Sequence, residues 1–179
     1  MDGRILIITG ERGVGKTTVC RKTVALARAA GLVCGGLLTL HAGGENQRHV
    51  VDIRTGDQRR LTTSTAGIRQ GCYLFDPEVL AWGAGVLVHA LPCDLLVVDE
   101  LGPLEVERKQ GWAVALDLFH SGWFGLALAV VRPELVADVQ LRLPASAPTV
   151  VTVMPQNRDQ LPAALLEMLE QEGLSNTRG

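Results

Sequence analysis

The stretch Gly10 to Thr18, GERGVGKTT, constrains the fold of this chain more than any other segment. It follows the apolar run Arg4 to Thr9, RILIIT, which predicts a short buried strand. The residues from Lys16 to Ala30 are good helix formers and are followed by Gly31, a common helix stop. The chain therefore opens with a strand, a glycine-rich turn and a helix.

The spacing of this turn is G-x-x-x-x-G-K-T, a pattern that suits phosphate binding. Glycine lets backbone N–H groups approach an anion closely, and the helix that follows adds the partial positive charge of its N-terminus. Lys16 is predicted to reach the β- and γ-phosphate oxygens as a catalytic group, and Thr17 to offer its hydroxyl to Mg²⁺. The predicted nucleotide-binding residues of the loop are Gly10, Glu11, Arg12, Gly13, Val14, Gly15, Lys16, Thr17 and Thr18.

A second motif lies near the middle of the chain, where the apolar run DLLVVDE ends in two acids, Asp99 and Glu100. A nucleotide hydrolase needs a carboxylate at a strand end to hold Mg²⁺ together with the loop hydroxyl, and Asp99 is predicted to do so with Thr17. Glu100 is predicted to orient and deprotonate the attacking water. The alternative for both acids is an ordinary polar strand end without a catalytic role.

Strand and helix patterns alternate along the chain, and several of the strands are continuously apolar. This order predicts an α/β fold with a mainly parallel sheet covered by helices on both faces. A turn at TGDQ predicts a β-hairpin. Further helices are predicted from Asp76 and Pro77 to about Leu91, over roughly Arg108 to His120, and from Arg158 to Gln171. We predict one domain over residues 1–179, with a frayed tail at 173–179.

Composition narrows the class of protein. The formal net charge of −2 makes a nucleic-acid partner an unfavoured hypothesis, although it does not exclude one. Four widely spaced cysteines favour reduced thiols and a cytoplasmic location. The apolar window at residues 79–98 contains Pro92 and Asp94, so it predicts a buried helix and strand and no membrane span. Composition leaves the oligomeric state open.

Taken together, the motifs resemble the small P-loop nucleoside triphosphatases that include the thermophile and human cancer-related enzymes. The resemblance covers most of the chain. VVDELGPLE is similar to the family's Asp-Glu-Ile-Gly-Lys-Met-Glu box, GCYLFDPEVL to its Gly-x-Tyr segment, and MPQNRDQLP to its late Asn-Arg motif. Membership implies a three-layer, RecA-like core in which an added strand separates the two nucleotide-binding strands, with an added β-hairpin. It also implies slow, Mg²⁺-dependent hydrolysis of ATP, GTP and other nucleoside triphosphates to the diphosphate and phosphate.

By position in these motifs, Glu105 matches the final acid of the box, and Asn157 and Arg158 match the late motif, where a contact with the nucleotide base is implied. Two departures are present. Pro103 stands where the family has lysine, and Glu11-Arg12 replaces the usual Pro-Pro. We therefore expect Arg12, or else Arg132, to supply part of the missing positive charge near the phosphates.

Two other functions fit the same motifs. A small-molecule kinase would use its strand-end acid on an acceptor hydroxyl, and the arginine-bearing segment 54–69 could then serve as a lid, although a hairpin is the favoured interpretation. A nucleotide-dependent switch or assembly factor would use slow hydrolysis as a timer. The segment NRDQ at residues 157–160 does not match the guanine-specific Asn-Lys-x-Asp motif.

Overall fold

The computed structural model describes residues 3–41, 43, 46–144 and 148–176. The strands are β1 Arg4–Thr9, β2 Cys34–His41, β3 Arg48–Asp52, β4 Gln58–Arg60, β5 Ile68–Gln70, β6 Tyr73–Phe75, β7 Cys93–Leu101, β8 Phe124–Val131 and β9 Thr149–Thr152. The helices are α1 Lys16–Ala29, α2 Pro77–Val88, α3 Pro103–Val106, α4 Val114–Ser121, α5 Val136–Gln140 and α6 Leu161–Asn176, with a 3₁₀ turn at Pro133–Leu135 before α5.

The main sheet has seven strands in the order β4-β3-β2-β7-β8-β1-β9. The five strands from β2 to β9 pair in parallel, and β3 and β4 add an antiparallel hairpin at one edge. β8 lies between β1 and β7, the strands that lead into the glycine-rich turn and the paired acids. The predicted parallel sheet, the separating strand and the hairpin are all confirmed.

Side chains alternate along the strands and build a core on each face of the main sheet. On one face, Leu6 and Ile8 of β1 pack with residues of α1 and α6. On the other, Ile5 and Ile7 pack in the core that α2 and α4 cover. The predicted three-layer arrangement is therefore confirmed, and the burial of both faces explains why the central strands are almost continuously apolar.

Backbone contact between two central strands depends on a glycine. Gly36 in β2 has a φ of +108°, and a Cβ there would lie 1.9 Å from the carbonyl oxygen of Val97 in β7. Only glycine fits this position, because any side chain would collide with backbone that cannot move aside. Gly36 thus allows β2 to pair closely with β7.

Three boundaries differ from the sequence prediction. The helix predicted over residues 108–120 is wrong in its first half, because the chain turns at Gly111, whose φ is +59°, and α4 begins only at Val114. The last helix begins at Leu161, after a turn that includes Asn157. It continues to Asn176 and so includes residues 173–176, which we assigned to the frayed tail, while 177–179 lie outside the described residues.

The apolar window at residues 79–98 forms most of α2 and the first part of β7, as predicted. Among the described residues, no helix has the length and the apolar character needed to cross a membrane. The cysteines are unpaired; Cys72 is exposed, and Cys20, Cys34 and Cys93 are buried. The small antiparallel sheet pairs β5 with β6, which lies within the Gly-x-Tyr segment.

Candidate active site

The glycine-rich loop joins β1 to α1 in a tight curve. Gly10, Gly13 and Gly15 have φ values of 134°, 79° and 111°, which side-chain-bearing residues rarely adopt. The Nζ of Lys16 donates hydrogen bonds of 2.7 Å and 2.8 Å to the carbonyl oxygens of Gly10 and Glu11. The lysine ammonium is thus held inside the curve of the loop, next to the free N–H groups at the start of α1.

Asp99 lies at the carboxyl end of β7 and is 2% exposed. Its Oδ2 accepts a long hydrogen bond of 3.4 Å from the backbone N–H of Thr39. The pKa of Asp99 is raised to about 7: burial is the main cause, a hydrogen bond from the side chain of Thr17 lowers the pKa, and the charge of Glu100 raises it. The contact with Thr17 joins the second motif to the loop, so the two motifs meet in space as predicted.

Glu100, the next residue, faces the end of the neighbouring strand β8. Its Oε1 accepts a hydrogen bond of 2.5 Å from Nε of Arg132, and each side chain is about one third exposed, at 32% and 35%. Arg132 follows β8 directly. The pair therefore connects the carboxyl ends of two adjacent parallel strands.

A cationic cluster stands between the loop and the β5–β6 sheet. Arg12 and Arg48 each donate a hydrogen bond to the hydroxyl oxygen of Tyr73, at 2.7 Å and 2.6 Å, and the guanidinium of Arg48 lies 4.8 Å from the centre of the Tyr73 ring. Nη1 of Arg48 is also 2.5 Å from Nε2 of His41. Burial lowers the pKa of His41, and the charges of Arg48 and Arg12 lower it further.

A cleft opens beside Glu100, between the carboxyl edge of the main sheet and the β5–β6 sheet. It contains about 460 Å³ of space, counting the part open to solvent. Its walls include Arg48, Gln70, Tyr73, Glu100, Trp112 and Arg132.

A family model described as NTPase matches residues 5–166. The chain belongs to this NTPase family. It is 36% identical over 166 residues to the nucleoside-triphosphatase THEP1 of Methanosarcina barkeri, covering 89% of this chain and 94% of that one. It is 33% identical over 165 residues to the protein of the same name from Methanosarcina acetivorans, covering 88% and 91%.

Two solved structures share the fold of this NTPase. The crystal structure of THEP1 from Aquifex aeolicus superimposes with a TM-score of 0.72 at 19% identity, covering 93% of this chain and 99% of that one. The solution structure of a human cancer-related nucleoside triphosphatase gives 0.69 at 19% identity, covering 94% and 98%. The family resemblance drawn from the motifs is confirmed.

Of the late Asn-Arg pair of the NTPase, Arg158 lies beside the glycine-rich loop. Nη1 of Arg158 is 3.5 Å from the carbonyl oxygen of Val14. The side-chain amide of Asn157 makes two hydrogen bonds to the backbone. Its Oδ1 accepts one of 2.8 Å from the N–H of Met154, and its Nδ2 donates one of 2.9 Å to the carbonyl oxygen of Thr152. Asn157 therefore shapes the turn between β9 and α6, and its predicted contact with a base remains a prediction.

Glu105, the final acid of the box, is 4% exposed. Its carboxylate accepts hydrogen bonds from the N–H groups of Gly102, at 2.9 Å, and Trp112, at 3.3 Å. Burial raises the pKa of Glu105 to about 7, although these two bonds lower it. The side chain thus ties the segment directly after Glu100 to the loop that precedes α4.

Sequence reasoning missed Arg48 as a site residue, and it noticed Tyr73 only as part of the Gly-x-Tyr segment. No motif around Arg48 predicts a functional role. It is the first residue of the hairpin strand β3, and only the tertiary fold brings it next to Tyr73. For Tyr73 a signal existed, since it is the only tyrosine of the chain and stands in a segment shared with the family.

Proposed function

We propose that this NTPase hydrolyses nucleoside triphosphates to the diphosphate and phosphate with the help of Mg²⁺. The observation that carries the proposal is the position of the glycine-rich loop and the paired acids at the same edge of the sheet, after the parallel strands β1 and β7 that β8 separates. The interaction of the Thr17 side chain with Asp99 agrees with this placement. A lysine, a hydroxyl and two carboxylates at one edge of a parallel sheet match the needs of phosphoryl transfer. The relatives named nucleoside-triphosphatase support the same reaction.

The residues fit Mg²⁺. Asp99 is a buried carboxyl whose ionised form burial disfavours, so a nearby cation would stabilise it. No group of three or more His, Cys, Asp and Glu able to hold a metal exists among the described residues. Thr17 and Asp99 would therefore hold the ion together with phosphate oxygens and water, the usual arrangement for Mg²⁺. When bound, Mg²⁺ neutralises charge on the phosphate oxygens.

The remaining groups have separate roles in the proposal. Lys16 and the backbone N–H groups of the loop bind the phosphates and stabilise the charge that develops as the γ-phosphoryl group leaves. Glu100 orients the attacking water and takes its proton. Arg132 holds the Glu100 carboxylate in position through the bond from its Nε. Arg12, on the loop itself, supplies positive charge near the phosphates, because Pro103 stands where the family has a lysine.

The test compares Glu100→Gln with Lys16→Ala. Glu100→Gln keeps the shape of the side chain but cannot take a proton, so turnover should fall by about 10²-fold or more while Mg-nucleotide affinity stays close to wild type. Lys16→Ala should lose affinity as well as turnover. Phosphate release and calorimetric binding of a non-hydrolysable triphosphate measure the two quantities. Wild-type turnover in Glu100→Gln would refute the role of Glu100.

A further inference from the structure

The cleft beside Glu100 has a cationic end that adjoins the phosphate-binding loop. Arg12 and Arg48 share one neutral acceptor, the hydroxyl of Tyr73. Among the described residues, neither guanidinium has a carboxylate within ion-pair distance. Two like charges held this close repel each other, and an anion between them would relieve the repulsion. Arginines bind phosphate groups, as they do carboxylates, with two parallel hydrogen bonds, and a phosphate monoester is the anion of this kind that can also accept a phosphoryl group.

The other end of the cleft is lined by aromatic and aliphatic side chains. Phe75 lies parallel to Tyr73, with ring centres 5.9 Å apart and planes within 5°. Leu80 and Trp112 complete this wall. Parallel rings and aliphatic side chains favour a planar aromatic group as the occupant.

Among the described residues that line the cleft, two have a buried polar atom without a hydrogen-bond partner, Oε1 of Gln70 and Nε1 of Trp112. Oε1 of Gln70 is buried and accepts no hydrogen bond within the described part of the chain. Buried acceptors normally have a partner, so an unmatched one in a cleft wall suits a ligand that brings an N–H group.

We propose that this cleft is a second substrate site for a nucleoside 5′-monophosphate, which accepts the γ-phosphoryl group of the triphosphate bound in the loop. The base lies on the aromatic wall near Gln70, and the phosphate lies on Arg48 at the loop end. The proposal rests on the proposed function, because the triphosphate must occupy the loop through Lys16.

The reaction balances without any further reagent. An oxygen of the dianionic monoester forms a bond to the γ-phosphorus, and the bond from that phosphorus to the β-phosphate oxygen breaks. Two nucleoside diphosphates result, and no proton has to be transferred. Arg48 and Arg12 lower the repulsion between the two anions. Hydrolysis is the same transfer with water as the acceptor.

Binding is tested first, by calorimetry on protein saturated with Mg²⁺ and the β,γ-imido analogue of ATP, so that the loop is filled. AMP, GMP, CMP and UMP are titrated separately. We expect at least one to bind with a 1:1 stoichiometry. Failure of all four at millimolar concentration, or binding only in the absence of the analogue, overturns the proposal, because the monophosphate would then have no site besides the loop.

Transfer is tested with triphosphate labelled at the γ-position. We expect the binding monophosphate to become labelled diphosphate and the release of labelled phosphate to fall in proportion. Binding without labelled diphosphate overturns the acceptor role. Release of phosphate in the absence of any monophosphate reports on hydrolysis alone, so a failure of the proposed function is seen separately.

Two variants connect the result to the cleft. Arg48→Met should weaken monophosphate binding by about tenfold or more, since a charged hydrogen bond to phosphate is lost. Arg60→Met removes an exposed arginine from the neighbouring strand β4 and serves as the matched control. Gln70→Leu replaces the unmatched acceptor by a smaller apolar side chain and should shift the preference among the four bases. Equal binding by all three variants and wild type overturns the site.

Discussion

The Nε of Arg132 donates a hydrogen bond of 2.5 Å to the carboxylate of Glu100, joining the carboxyl ends of β8 and β7. Glu100 lies in the irregular stretch of β7 between the Val98–Ala129 and Leu101–Val131 pairs, and Arg132 directly follows β8. The carboxylate proposed to orient water is thus held by a cation from the adjacent strand, and its direction depends on the packing of the two strands.

The first prediction follows from this pair. Arg132→Ala should lower turnover by about tenfold, because the Glu100 carboxylate loses the partner that fixes its direction. In the Glu100→Gln background the same substitution should change turnover little, since the group that it positions no longer acts. A double-mutant cycle on phosphate-release rates measures the coupling. Equal effects in both backgrounds would mean that Arg132 acts independently of Glu100.

The second prediction concerns Arg12. Arg12→Ala should weaken triphosphate binding and lower turnover, each by about tenfold, because a positive charge next to the phosphates is lost. Arg21→Ala, which removes an exposed arginine on the following helix, is the control. Steady-state kinetics and calorimetry give both quantities. Unchanged turnover and affinity in Arg12→Ala would show that the loop arginine does not compensate for Pro103.

The third prediction concerns Mg²⁺. Asp99→Asn should raise the Mg²⁺ concentration needed for half-maximal turnover by about tenfold or more, as even the loss of an outer-shell partner costs that much in metal sites. Asp94→Asn is the matched control, because Asp94 lies at the opposite end of the same strand and bonds the N–H of Val33. A Mg²⁺ titration of phosphate release distinguishes them. The same half-maximal concentration in all three proteins would remove Asp99 from the metal site.

The fourth prediction is a pH dependence of stability. Burial raises the pKa of Glu105 from 4.5 to about 7, so the folded protein holds a proton that the unfolded chain has lost between these values. This contribution to stability is therefore complete below pH 4.5 and disappears as the pH rises through about 7, and it amounts to roughly 3 kcal/mol.

The nucleotide-free wild type should accordingly melt at a lower temperature at pH 8 than at pH 5. Glu105→Gln should flatten this slope by about half, because buried Asp99, with its pKa also raised to about 7, contributes a slope of the same sign. Circular dichroism melts in matched buffers provide the measurement. A slope as steep in Glu105→Gln as in the wild type would contradict the assignment.

The fifth prediction separates base from phosphate contacts at the late motif. Arg158→Ala should weaken ATP binding while leaving the binding of inorganic tripolyphosphate unchanged, as expected of a base contact. Weakening of both by the same factor would place Arg158 on the phosphates instead. Asn157→Ala should also lower the free energy of unfolding by about 1 kcal/mol, because it removes two side-chain hydrogen bonds to the turn before α6.

Local patterns were enough to place several parts of the site. Short motifs of a few consecutive residues predict three of them. These are the glycine-rich turn around Lys16, the strand that leads to Asp99, and the helix cap formed by Asp76 before Pro77. Asp76 indeed accepts a hydrogen bond of 2.9 Å from the N–H of Glu78 at the start of α2. The predicted helix over residues 108–120 failed in its first half because Glu105, at the end of a separate short helix, draws the following segment into a turn.

The sequence by itself determined the glycine-rich loop, the paired acids and the parallel sheet, because each depends on neighbouring residues or on a repeating burial pattern. Tertiary structure alone decided that Arg132 holds Glu100, that Arg12 and Arg48 meet on Tyr73, and that a cleft opens between the two sheets. These partners are 25 to 61 residues apart along the chain. Strand order and the packing of the β5–β6 sheet bring these partners together, and neither can be predicted from a short stretch of sequence.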